Sequence, residues 1–87
     1  MTVELRILVE IFRDDRELLE DLFVEGVLPR AEQLDDADVE AALVARTLVR
    51  DLDVNLAGAE IIVRLRRELL ETRRQVAQLI ELLKSNR

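Results

Sequence analysis

The sequence predicts an all-α protein with a small helical head and a long C-terminal dimerisation helix. Three observations carry this. Only two Gly and one Pro occur in 87 residues, too little turn material for a many-turned β fold. Hydrophobic residues make up 49% of the chain but aromatics only 2%, so burial depends on Leu, Val, Ile and Ala. Beyond Asn55, apolar residues recur three and four positions apart over about three heptads.

The head is expected over residues 1–54. Thr2 can cap a first helix over about 3–13. Val3, Leu5, Ile7, Val9 and Ile11 alternate as a strand would, but Leu8 and Phe12 break the alternation. Leu5, Leu8, Val9 and Phe12 make a helical stripe, and the stripe decides for helix. Asp14 or Asp15 then caps a second helix over about 15–25 with Leu18, Leu19, Leu22 and Phe23 inward. Gly26 ends it and Pro29 prevents restarting, so the two helices form a helix-turn-helix.

Residues 27–34 are too few for a full two-stranded wing. Asp35 caps a third helix over about 36–52, with Asp38 completing a capping box and Leu34 placed to staple onto Val39. Its wide apolar face (Val39, Ala42, Leu43, Ala45, Leu48, Val49 and Leu52) suits a helix wedged between head and stalk. A short corner follows. Asn55 caps the last helix, and Gly58 in its first turn suggests a close backbone approach by the third helix.

The stalk is expected over 55–87. Its seam is Ile62, Leu65, Leu69, Thr72, Val76, Leu79 and Leu83, with Thr72 the one polar step. A helix over Asn55–Lys84 runs ~45 Å at ~1.5 Å per residue. A body of 10.1 kDa cannot bury that length, so a second copy of the chain is the expected cover. Arg66, Glu68, Arg73 and Gln75 flank the seam, and Ile80 and Leu82 widen it near the end.

Chemistry is sparse. The chain has no Cys or His, which excludes thiolate nucleophiles, disulfides, imidazole acid–base catalysis and Cys/His zinc sites. Ser85 is the only Ser, and no acidic run resembles a calcium-binding loop. No enzyme activity and no cofactor are expected. No apolar run approaches the ~18 residues of a membrane span, and no signal peptide is read, so a cytoplasmic location is expected.

Charge is divided along the chain. Residues 1–60 carry six Arg against sixteen Asp or Glu, a net −10, whereas residues 61–87 carry seven Lys or Arg against three Glu, a net +4. An acidic head on a basic stalk suggests a docking face for a basic partner, and Asp14, Asp15, Glu17 and Asp21 are its candidate residues. Ordinary solvated surface explains the same division equally well.

Three stretches together resemble a known family: Leu22-Phe23-Val24-Glu25-Gly26-Val27-Leu28, the capped Leu34-Asp35-Asp36-Ala37-Asp38-Val39 start, and Arg50-Asp51-Leu52-Asp53-Val54-Asn55-Leu56-Ala57-Gly58. In this order they resemble MerR-like helix-turn-helix proteins, and most closely the CbpM-type chaperone modulators. The last stretch is the most specific. The resemblance implies a dimer of helical heads on a central stalk that binds the J-domain of a DnaJ-like co-chaperone and blocks its stimulation of Hsp70. The chain departs from the family in the short segment between Pro29 and Leu34, and in having Arg13 where a Gly stands in the first head turn.

Two other readings are weighed. A MerR-type DNA-binding regulator needs a cationic reading helix, but residues 13–25 hold six acidic residues against Arg13 and Arg16. A generic homodimerisation or adaptor module is compatible with every residue.

Overall fold

A computed structural model describes residues 1–86. The order is β1 (Thr2–Glu4), α1 (Leu5–Ile11), a 3-10 turn (Arg13–Asp15), α2 (Arg16–Val24), β2 (Gln33–Asp35), α3 (Asp36–Arg50) and α4 (Leu56–Ser85). The chain is mostly helical, with a small head from which α4 projects, giving extents of 54 × 27 × 19 Å.

The all-α expectation is corrected at the N-terminus. Residues 2–4 pair antiparallel with residues 33–35, setting Val3 opposite Leu34. Thr2 therefore lies in a strand, and Glu4 stands before α1 with no side-chain cap. Both periodicities in this stretch are real, used in succession. Strand alternation places Val3 and Leu34 together on the inner side, and helical spacing then takes over to bury Leu8 and Phe12. The Leu5 N–H, otherwise orphaned at the helix start, donates to the Glu32 carbonyl at 2.8 Å. No hairpin forms within residues 27–34; the end of that segment pairs with the start of the chain instead.

The second helix begins one residue later than expected, and Asp15 precedes it without a side-chain capping bond. Its end follows the expectation. Gly26 has φ +77°, its N–H donates to the Phe23 carbonyl at 3.1 Å, and the Val27 N–H donates to the Leu22 carbonyl at 2.9 Å. These paired bonds form a Schellman motif, and Leu22 and Val27 are both buried, as its hydrophobic contact requires.

Helix α3 starts with the full capping box. The Asp38 N–H donates to the Asp35 carboxylate at 2.8 Å, and the Asp35 N–H donates back to Asp38. The bond from the Asp38 N–H holds the Asp35 carboxyl below its ordinary value. Ala41, Ala42 and Ala45 are buried, and such small side chains let neighbouring helices approach closely. They close a core around Leu8, Phe12, Leu22, Leu28 and Leu34, with Val63 reaching in from α4.

The helix ends at Arg50, slightly before the expected position, so Leu52 falls beyond it and is exposed rather than part of the apolar face. At the corner Asp53 adopts φ +55°, a left-handed conformation that Asp tolerates better than most residues, and the Val54 N–H donates back to the Leu48 carbonyl. Asn55 caps α4 as expected, accepting from the Gly58 N–H at 2.7 Å. The reason given for Gly58 is corrected. A Cβ there would meet the Val54 Cγ1 at 3.1 Å and the Asn55 Oδ1 at 3.2 Å, so the crowding comes from the corner itself and not from α3. The last residue of the expected 55–87 stalk, Arg87, lies outside the described residues.

Because Gly26 sits at positive φ with open space around its missing Cβ, Gly26→Ala is a test of backbone strain alone. It is expected to lower unfolding stability by about 1–2 kcal/mol in urea denaturation, with the m-value unchanged.

Candidate protein-binding surfaces

The four acidic residues singled out from the sequence divide into two roles. Asp15 is bound inside the head. Arg50 donates to its carboxylate through Nε at 2.8 Å and through Nη2 at 2.6 Å, a forked pair spanning from α3 to the α1–α2 turn. One turn earlier on α3, Arg46 lies over the Phe12 ring at 4.7 Å and donates to the Ile11 carbonyl at 3.1 Å. These two arginines hold the 3-10 turn from its carbonyl, aromatic and carboxylate sides.

The Arg50 hydrogen bond holds the Asp15 carboxyl below its ordinary value, and the same contact raises Arg50. Asp15 is thus tied into the fold of the head, its carboxylate occupied by Arg50.

Asp14 and Glu17 are exposed and Asp21 is half-buried. Among the described residues none of the three has an ion-pair partner within 4 Å, whereas Glu10 is tied to Arg13 and Glu20 to Arg30. Glu17 and Asp21, four positions apart, share one face of α2, and Asp14 lies in the 3-10 turn before it. Glu17 and Asp21 both contribute to the raised Arg50. Glu17 and Asp21 therefore lie near the Arg50–Asp15 pair.

The second candidate surface is on α4. Ala59 and Val63 are its buried side chains, and Arg66 and Arg67 tie it to α3 through Glu40 and Asp38. From Glu68 onward every described residue is exposed. At about 100° per residue, Leu65 is rotated about 200° from Val63, so the seam lies on the side away from the head. Its exposures run from 39% at Ile62 through 57% at Leu65, 50% at Leu69, 51% at Val76 and 57% at Leu79 to 62% at Leu83. Thr72 is exposed within the same line. Such a continuous apolar stripe is far from the scattered single residues of an ordinary surface.

Asn55 and Gly58 do structural work at the corner and touch neither surface. Sequence reasoning missed Arg46 and Arg50. Their four-residue spacing on α3 is visible, but nothing local points to a turn 35 residues away.

No group of three or more His, Cys, Asp or Glu among the described residues is placed to hold a metal ion, and no helix is long and apolar enough to cross a membrane. No family model, curated protein or solved structure matches the chain.

Asp15→Asn keeps the shape but loses the charge, and is expected to cost about 1 kcal/mol at pH 7, since Arg50 is half exposed and screened. The folded-state carboxyl is depressed, so the native pair's contribution is present above pH 3.8 and is lost as pH falls through the lower folded value. The stability gap between the two proteins, read from thermal melts, is therefore expected to narrow below pH 3.8.

Proposed function

We propose that the chain is a non-catalytic modulator that docks a basic helical partner on its acidic head. The J-domain of a DnaJ-like co-chaperone is the partner, and occluding it blocks stimulation of the Hsp70 chaperone. The observation that carries this reading is the group Asp14, Glu17 and Asp21, without ion-pair partners among the described residues while Glu10, Asp15 and Glu20 are paired. Unpaired carboxylates on α2 and on the turn before it suit a cationic helix by charge complementarity, which steers encounter and fixes register. The resemblance of the 50–58 corner to CbpM-type modulators supplies the identity of that helix, because J-domains present a basic one.

In this reading the protein is cytoplasmic and works as a homodimer, joined through the seam from Ile62 to Leu83, so that two heads face outward. A MerR-type DNA-binding role is disfavoured by the same group, since phosphates repel it and most protein–DNA affinity comes from cationic contacts.

Calorimetric titration of a purified cognate J-domain tests the reading. Binding is expected at about 0.05 M salt and is expected to weaken at least about tenfold by about 0.5 M, where the screening length falls below ~5 Å. The double variant D14K/E17K is expected to abolish the salt dependence and most of the affinity. Absence of binding at low salt removes the partner, and tight salt-independent binding removes the acidic group as its site.

A further inference from the structure

Helix α1 is apolar on nearly every side, yet the head covers only one of them. Five of its seven residues are Leu, Ile or Val, and only Arg6 and Glu10 are polar. Leu8 is its one buried residue, and Leu5 and Val9 pack half-buried against the core. Ile7 and Ile11, four positions apart on one face, stand out at 40% and 44% exposure. A helix that is apolar all round belongs in an interior.

Two open grooves run along α1. One is lined by Leu5 and Val9 with Glu4 and Glu32 beside them, the other by Ile7 and Ile11 with Glu10. Arg6 lines both, so the two grooves adjoin. Their rim is acidic. Glu4, Glu10 and Glu32 border the grooves, and Asp14 follows in the turn just beyond Ile11. Against these four carboxylates stand only Arg6, paired with Glu4, and Arg13, paired with Glu10.

The end of α1 is also fastened beside the start of α2. The Ile11 carbonyl accepts from Arg46, and Arg50, one turn further along α3, holds Asp15. At ~1.5 Å per residue the two anchors stand ~6 Å apart along α3. The apolar face of α1 therefore abuts the turn that carries Asp14.

We propose that α1 is the apolar half of the docking face and that its occupant is a basic amphipathic helix. Apolar residues of that helix cover Ile7 and Ile11, while its cationic residues meet the acidic rim. The proposal rests on the acidic-head reading above and adds the contact that holds the complex once charge has steered the encounter. Rim charge selects this occupant. A second copy would bring an identical acidic rim against the first, and nucleic acid or an anionic lipid surface would be repelled likewise.

Titration calorimetry with a purified cognate J-domain, on the native chain and on I7S/I11S, separates the apolar contact from the charged one. Both positions are exposed and Ser has about the helix propensity of Ile, so the variant is expected to fold, which circular dichroism checks. It is expected to bind about tenfold more weakly at both about 0.05 M and about 0.5 M salt, with the salt dependence unchanged. Its heat-capacity change on binding is expected to be less negative, the signature of lost apolar burial. Should the double variant fail to fold, I11S alone, at the more exposed position, is expected to weaken binding about threefold. Native affinity and heat-capacity change in the folded variant overturn the proposal and leave the acidic-head reading standing. A native chain that binds no J-domain at low salt overturns that reading and this occupant with it. A native dimer that I7S/I11S splits in sedimentation assigns the face to a second copy and overturns the proposal as well.

Discussion

A head of about fifty residues can cover only the first three turns of a 30-residue helix, and everything distinctive about this chain follows from that mismatch. The head's own core is small, built on Leu8, Phe12, Leu22, Leu28 and Leu34. It takes in Ala59 and Val63 from α4, and two arginines fasten the next turn to α3. Beyond that point the helix has no intramolecular partner. Most helical stability in proteins comes from packing an amphipathic face, which this overhang lacks within the chain, and its apolar stripe adds a cost of exposure. A second helix laid on that stripe removes both.

Arginines from α3 add to apolar burial in fixing the head. The α1–α2 turn has no glycine, and nothing in its own sequence caps α2. Arg46 and Arg50 reach it from α3, one over Phe12 and the other forked onto Asp15. The pairing changes the chemistry of the surface as well as its stability. It occupies Asp15 and leaves Asp14, Glu17 and Asp21 without ion-pair partners among the described residues. A partner docking there as proposed would meet charges carried on a structured backbone, with less entropy cost of arranging them on binding.

The sequence was most legible where a residue's partner lies within a few positions. The Asp35–Asp38 capping box, the Asn55 cap and the Gly26 terminus are all local, and all three form as read. The heptad seam was legible for the same reason, as far as its spacing and its exposure in the single chain. The strand at residues 2–4 was not, because its partner is about thirty residues away and both strands are only three residues long. The helical stripe through Phe12 was correct and concealed the strand before it. The Arg50–Asp15 pair spans 35 residues and has no local signature. Gly58 was rightly taken as crowded, but the crowding comes from Val54 and Asn55, whose side-chain directions a sequence does not give.

The central claim is that the exposed face of α4 is an interface between copies of this chain. Sedimentation equilibrium at micromolar concentration, on the native chain and on Leu69→Asp, addresses it directly. The account requires twice the 10.1 kDa mass for the native chain. For the variant it requires the single-chain mass with the head still folded, because Leu69 touches none of the core. A native chain that sediments as a monomer throughout the micromolar range, or a variant that remains a dimer, would contradict it.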